Sequence, residues 1–140
     1  MDFISIPEKI GGDLMKLSGI AEAQISALRL GKSQTGNPKI TMEFTCLTEL
    51  LDANSGETSI GAKILDTLSL QESALFRLEN YVKAVNKTGL PKGKQMSSVE
   101  FMAFLDDTLK GSRWNLELAV EPDNKGEEKT NIKKFTFLGI

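Results

Sequence analysis

The sequence predicts a mainly β domain in which five strands are interrupted by helices. Three segments with the two-residue period of a half-buried strand come first, two helical segments follow, and two further strand-like segments end the chain. This order, with the helices between the third and fourth strands, is that of an OB-fold, a small, partly open five-stranded Greek-key barrel. We expect an N-terminal arm or short helix over residues 1–18 and an OB-fold domain over residues 19–140. The predicted strands are 21–30, 40–47, 60–68, 114–120 and 130–138, and the predicted helices are 69–85 and 98–110.

The first two strands are predicted to form a hairpin. In the first strand the apolar alternation changes phase at Ala27 and Leu28, and a β-bulge shifts parity in this way. The second strand alternates without interruption from Ile40 to Cys46. The segment Gly31–Pro38 contains glycine, asparagine and proline, which supply turn geometry, so it predicts a loop longer than a tight turn.

The third strand carries one polar residue in its apolar row. Asp66 interrupts the row formed by Ile60, Ile64 and Leu68. A buried carboxylate needs hydrogen-bond partners. We therefore expect Asp66 to be hydrogen-bonded or to lie near the end of the strand.

Two capping boxes predict where the helices begin. Ser69 precedes Glu72, and Ser97 precedes Glu100, at the spacing at which the two residues cap each other's backbone N–H groups. Gly111 predicts the end of the second helix.

The last two strands are predicted to form a second hairpin. Apolar residues alternate from Trp114 to Val120, a turn follows at Pro122–Gly126, and the chain returns through Ile132, Phe135 and Phe137.

The composition disfavours catalysis. The chain of 140 residues has no histidine and one cysteine, Cys46, for which we expect a buried structural thiol. No glycine loop for phosphate, CxxC pair or nucleophile elbow occurs. We expect no enzymatic activity, no cofactor and no metal. No run approaches the ~20 apolar residues of a membrane span, so we expect the cytoplasm and no membrane partner.

Lysines and arginines mark the loops that border the binding groove of an OB-fold. The formal net charge is −2, so a nucleic-acid site has to be a local patch. Residues 23–42 hold three cations and no acid, and residues 80–99 hold four lysines and no acid. The groove of an OB-fold lies between the first–second and fourth–fifth loops, over strands two and three. The cations that we expect to contact phosphates are Lys32, Lys39, Lys63, Arg113, Lys125, Lys129, Lys133 and Lys134.

Aromatic residues near the predicted groove are few. Trp114, Phe135 and Phe137 lie in the last two strands and are the candidates for stacking on bases, although core packing is an open alternative for each. Modest charge with modest stacking predicts weak or cooperative binding.

Short motifs resemble a family of phage proteins. The stretch from Lys32 to Ile40 looks like a K-x-x-x-GNP-x-(I/L) hairpin of that family. Asp66–Leu70 followed by Ala74–Leu78 is similar to its strand-to-helix segment, and Asn131–Phe135 resembles its last strand. The family has been described largely as a domain of unknown function, and its members resemble single-stranded-DNA-binding proteins among phage replication and recombination genes. The resemblance covers about residues 19–138. Unlike many single-strand binders, this sequence ends without an acidic tail.

The sequence therefore predicts a non-catalytic protein that binds single-stranded DNA with little sequence preference. The resemblance implies a role in phage DNA replication or recombination, with replication or recombination proteins as further partners and the host cytoplasm as the site of action. The alternative is an OB-fold module that docks on a host or replisome protein. Self-association, the choice between DNA and RNA and the role of the lysines at 80–99 stay open.

Overall fold

The fold is a five-stranded antiparallel sheet that carries two α-helices. A computed structural model describes residues 15–50 and 57–140. The elements are β1 (Gly19–Lys32), β2 (Pro38–Cys46), β3 (Lys63–Ser69), a 3₁₀ helix (Glu72–Ala74), α1 (Phe76–Asn86), α2 (Ser98–Leu109), β4 (Arg113–Pro122) and β5 (Glu128–Gly139). Among the described residues, no helix combines the length and apolarity that crossing a membrane requires. The predicted N-terminal arm lies almost wholly outside the described residues.

The strands are hydrogen-bonded in the order β3-β2-β1-β4-β5. The expected mainly β architecture with a helical insert is confirmed. Closure into a barrel is not, because the hydrogen-bonded order ends at β3 and β5. All neighbouring pairs are antiparallel, so these two edge strands run in the same direction.

The long strand β1 belongs to both halves of the sheet. Its first half pairs with β4 from Gly19 to Gln24, and its second half pairs with β2 from Ala23 to Lys32. A register shift between Ile25 and Ala27 interrupts the ladder with β2 just after the ladder with β4 ends at Gln24, so the predicted bulge is present at Ser26. The extra residue bends β1 near the point where it leaves β4 and continues along β2 alone.

One face of the sheet and both helices enclose the core. Alternate side chains of each strand point inward, and the helices add Leu78, Tyr81, Val82, Leu105 and Leu109. Cys46 is a buried free thiol, as expected.

The helix starts differ from the prediction at one of two places. Ser97 and Glu100 form the expected capping box, with Glu100 N–H donating to Ser97 Oγ at 3.1 Å. Ser69 does not cap a helix, because it is the last residue of β3 and pairs with Lys39. Its hydroxyl accepts a bond from the Gln71 N–H instead, and α1 begins at Phe76 without a side-chain cap. The predicted single helix over 69–85 is therefore a 3₁₀ turn followed by α1.

Candidate nucleic-acid interface

A cleft of about 850 Å³ lies between the two edge strands. One wall is β3 from Lys63 to Thr67, and the other comprises residues 127–133 of the β4–β5 turn and β5. Both walls and the segment that precedes β1 bring charged side chains. The lining cations are Lys16, Lys63, Arg77, Lys129 and Lys133, and the lining acids are Asp66, Glu121, Glu127 and Glu128.

A network centred on Asp66 forms the floor of the cleft. Asp66 is 9% exposed, and its Oδ2 accepts bonds from Arg77 Nη2 at 2.8 Å, Arg77 Nε at 3.1 Å and the Tyr81 hydroxyl at 2.6 Å. The expectation that Asp66 is hydrogen-bonded is confirmed. Arg77 and Tyr81 are four residues apart in α1 and so lie on the same face of that helix.

Arg77 also joins the two edge strands. Its Nη2 donates to the backbone carbonyl of Ile132 in β5 at 3.1 Å while the same guanidinium holds Asp66 of β3. Its carbon centre lies 5.4 Å from the ring centroid of Phe135, within the range of a cation–π contact. One side chain of the helical insert thus links the strands across the gap in the sheet.

The single tyrosine of the chain gives this network an optical reporter. Burial raises the pKa of the Tyr81 hydroxyl well above its ordinary value of about 10, and the Asp66 carboxylate beside it raises the pKa further. The native state therefore keeps the proton at pH values where the unfolded chain loses it, so stability present below pH ~10 is lost as the pH rises beyond it.

We predict that tyrosinate absorbance of the folded protein rises only well above pH 10, whereas in denaturant it rises near pH 10. Between the pKa of Tyr81 in the unfolded chain and its higher pKa in the folded protein, the unfolding free energy should fall by about 1.4 kcal/mol per pH unit. Tyr81→Phe should remove this fall. Denaturant titrations of both proteins across alkaline pH test this. A native absorbance midpoint near pH 10 would contradict the network.

Three of the predicted phosphate contacts meet at the cleft. Lys63 is exposed on β3, and its Nζ donates to Thr45 Oγ1 at 2.7 Å. Lys129 is exposed on β5. Lys133 pairs with Glu121, with Nζ–Oε distances of 3.0 and 3.1 Å, so its charge is already partly neutralised.

The other predicted cations lie elsewhere. Lys125 is exposed in the β4–β5 turn, where Asp123 Oδ1 accepts its backbone N–H at 2.8 Å. Arg113 Nη1 lies 3.0 Å from Glu22 Oε1 on the β1–β4 face, and Lys134 stands opposite Glu117 in the β4–β5 register. None of these three cations lines the cleft.

The two predicted lysines of the first hairpin point to opposite sides of the sheet. Side chains alternate along a strand, so Lys39 shares the outer face with Thr41 and Glu43. Lys32 pairs with Pro38 and has the parity of Leu30 and Ile40, which places it on the inner side at the end of the hairpin.

The outer face of β1, β2 and β3 forms a second cationic surface. Arg29, Lys39 and Lys63 lie on it together with two carboxylates, Glu22 and Glu43, so its formal charge is +1. Glu43 is held by Arg29 at 3.6 Å and by the Ser26 hydroxyl at 3.1 Å. The structure describes these three strands over their whole length, and none of their outward-pointing residues is aromatic.

The three aromatic candidates pack together rather than on the outer face. Trp114 is 0% exposed, and its indole N–H donates to Ser112 Oγ at 2.8 Å. Phe135 stacks on Tyr81 with a centroid distance of 3.7 Å, and Phe137 lies 5.3 Å from Trp114. Both phenylalanines are half-buried, and Trp114 offers no open ring face in this conformation.

Arg77, Tyr81 and Lys16 are not among the site residues predicted from the sequence. A usable signal existed for the first two, because an acid inside an apolar strand row needs partners and two donors follow four residues apart on the next helix. Lys16 had no comparable signal. Its neighbour Leu17 is buried, and the Leu17 N–H donates to Thr130 Oγ1 of β5 at 2.8 Å, which brings Lys16 to the cleft.

The described residues contain no group of three or more histidine, cysteine, aspartate or glutamate residues arranged to hold a metal ion. No protein-family model and no curated protein matches the chain.

Proposed function

We propose that this protein binds single-stranded DNA with little sequence preference, without catalysis, as part of phage DNA replication or recombination. We further propose that its sheet is an OB-fold-like barrel in which Arg77 takes the place of backbone pairing between β3 and β5. Three features support the barrel: the strand order, the pairing of β1 with both β2 and β4, and the parallel direction of the edge strands β3 and β5. OB-folds serve widely as single-strand binders.

The observation that carries the function is the position of Lys63 between two cationic surfaces. It lies on the outer face of β3 and also lines the cleft that holds Lys16 and Lys129. Lys39, opposite Ser69 at the far end of β3, lies about 20 Å from Lys63 along the strand. A phosphate backbone laid along β3 would meet cations at both ends of that strand and continue to Lys129.

The absence of aromatic residues from this outer face defines the mode of binding. Each stacked base is worth roughly 1–3 kcal/mol, and that contribution is lacking here. Affinity would then come from phosphates, so it should be independent of base identity and sensitive to salt. This supports the weak, sequence-tolerant mode that the composition suggests.

Fluorescence anisotropy with a labelled oligothymidine of about thirty nucleotides and a matching duplex tests this proposal. For about three to four phosphates neutralised, affinity for the single strand should fall roughly 20- to 50-fold between 50 and 200 mM salt. An oligoadenine of equal length should bind within a factor of about three. Failure to bind the single strand at 50 mM salt, or equal affinity for the duplex, would overturn the proposal.

A protein-docking module is the second candidate. The acidic net charge favours it, and so do exposed apolar side chains on the helical insert, where Phe76 is 67% and Val99 79% exposed. This candidate would be favoured if the protein bound a protein partner with an affinity that does not depend on salt and did not bind DNA.

A further inference from the structure

An apolar groove lies at the end of the molecule formed by the first hairpin and the helical insert. Its volume is about 360 Å³, which is at the small end of the range for ligand sites. The hairpin contributes Leu30, which is 41% exposed, and Pro38. The insert contributes Leu75, Leu90, Met96 and Phe101.

One wall of the groove is held in place by side-chain hydrogen bonds. Asn86 Oδ1 accepts the backbone N–H groups of Thr88 and Gly89 at 3.0 and 2.7 Å. Glu79 Oε1 accepts the Leu90 N–H at 3.0 Å, and its Oε2 lies 3.0 Å from Lys92 Nζ. The chain past α1 is therefore fixed before any partner arrives, and a preformed site loses less conformational entropy on binding.

The rim of the groove is cationic. Lys94 lines it, and Lys32 lies on the same side of the hairpin as Leu30 and Pro38. The carboxylates of Glu79 and Glu100 are already engaged, the first by Lys92 and the second by the Ser97 N–H. In the described segments that line the groove, the one acid besides Glu79 and Glu100 is Glu72.

We propose that this groove binds a short segment of a partner protein that presents a large apolar side chain next to carboxylates. The groove has room for one or two such side chains, and Lys32 and Lys94 would face the flanking acids. Met96 adds an unbranched, adaptable side chain that accommodates anchors of different shape. This site is separate from the cleft between β3 and β5 and does not depend on DNA binding.

Fluorescein-labelled peptides of the form Gly-Glu-Glu-X-X-Glu-Glu-Gly test the proposal, with every combination of leucine, isoleucine, phenylalanine and tryptophan at X. The best peptide should bind with a dissociation constant of about 10–100 μM. The same frame with serine at both X positions should bind at least tenfold more weakly. Equal binding of the serine peptide, or no binding of any peptide at about 1 mM, would overturn the proposal.

Two variants locate the binding site. Leu30→Asp and Lys94→Glu should each weaken the best peptide at least fivefold, whereas Lys110→Glu at the end of α2 is a matched surface control that should leave it unchanged. Lys94 is exposed, so its replacement leaves the fold intact. Oligothymidine should not displace the peptide. It should also bind the Leu30→Asp variant as tightly as it binds the wild-type protein. Displacement by oligothymidine would assign the groove to nucleic acid and overturn the peptide proposal.

Discussion

Replacing Asp66 with alanine is expected to lower the free energy of unfolding by about 3 kcal/mol at neutral pH. The variant leaves the Arg77 guanidinium and the buried Tyr81 hydroxyl without their shared acceptor. It also removes one end of the link between β3 and β5. The loss is large because a charged group that stays near the core without its partner has not regained its hydration. Urea titration followed by tryptophan fluorescence measures it, since Trp114 lies 5.1 Å from the Tyr81 ring.

Two further variants separate the network from a general effect of removing an acid. Asp107→Ala on the exposed side of α2 should change stability by no more than about 0.5 kcal/mol. The double variant Asp66→Ala with Arg77→Met should recover part of the loss, because neither charge is then unpaired. If Asp66→Ala costs less than about 1 kcal/mol, the network does not stabilise the fold in the way described.

Reversing Lys63 and Lys129 together is expected to lower affinity for oligothymidine at least about thirtyfold at 50 mM salt. An exposed ion pair is worth up to about 1 kcal/mol, so two lost attractions cost about 2 kcal/mol, and the new repulsion adds to that. The dependence of affinity on salt should become shallower by about the equivalent of two phosphates. Lys63 and Lys129 are preferred to Lys133, whose reversal would also break its pair with Glu121.

Lys83→Glu with Lys110→Glu provides the matched control. Both residues are exposed on or next to the helices, outside the cleft, and the double variant changes the net charge by the same amount. A comparable loss of affinity in this control would show that total charge, and not the cleft, governs binding. Thermal unfolding of both double variants checks that the fold is retained.

The sheet and its inward rows were predictable because they rest on local alternation. The inward-pointing side chains of β2 and β4 follow directly from the two-residue period. The phase change near Ala27 predicted the bulge that the structure has at Ser26. The third strand was placed too early because Ile60 and Gly61 are apolar or neutral yet form a turn, with Gly61 at a positive φ of 86°. The capping signal at Ser69 failed because pairing with Lys39 holds that residue in β3.

The site was predictable only in part, because it depends on contacts between distant segments. Alternation identifies the side of its own strand on which a lysine lies, as it does for Lys39 in β2 and Lys63 in β3. It cannot reveal that Arg77 reaches the Ile132 carbonyl, 55 positions away, or that Leu17 brings Lys16 to β5. Alternation also did not decide between a stacking and a packing role for Trp114, which the structure places in the core.

The facing of β3 and β5 across the cleft has a consequence for self-assembly. The edge of an open sheet normally offers unpaired backbone groups on which strands of other molecules add, and this addition leads to fibres. In this protein the edge of β3 faces the edge of β5 across the cleft. A strand from another molecule would have to approach through the space occupied by Lys63, Arg77 and Lys129. Under the proposed function, many copies would therefore bind along one nucleic-acid strand without polymerising through their sheets.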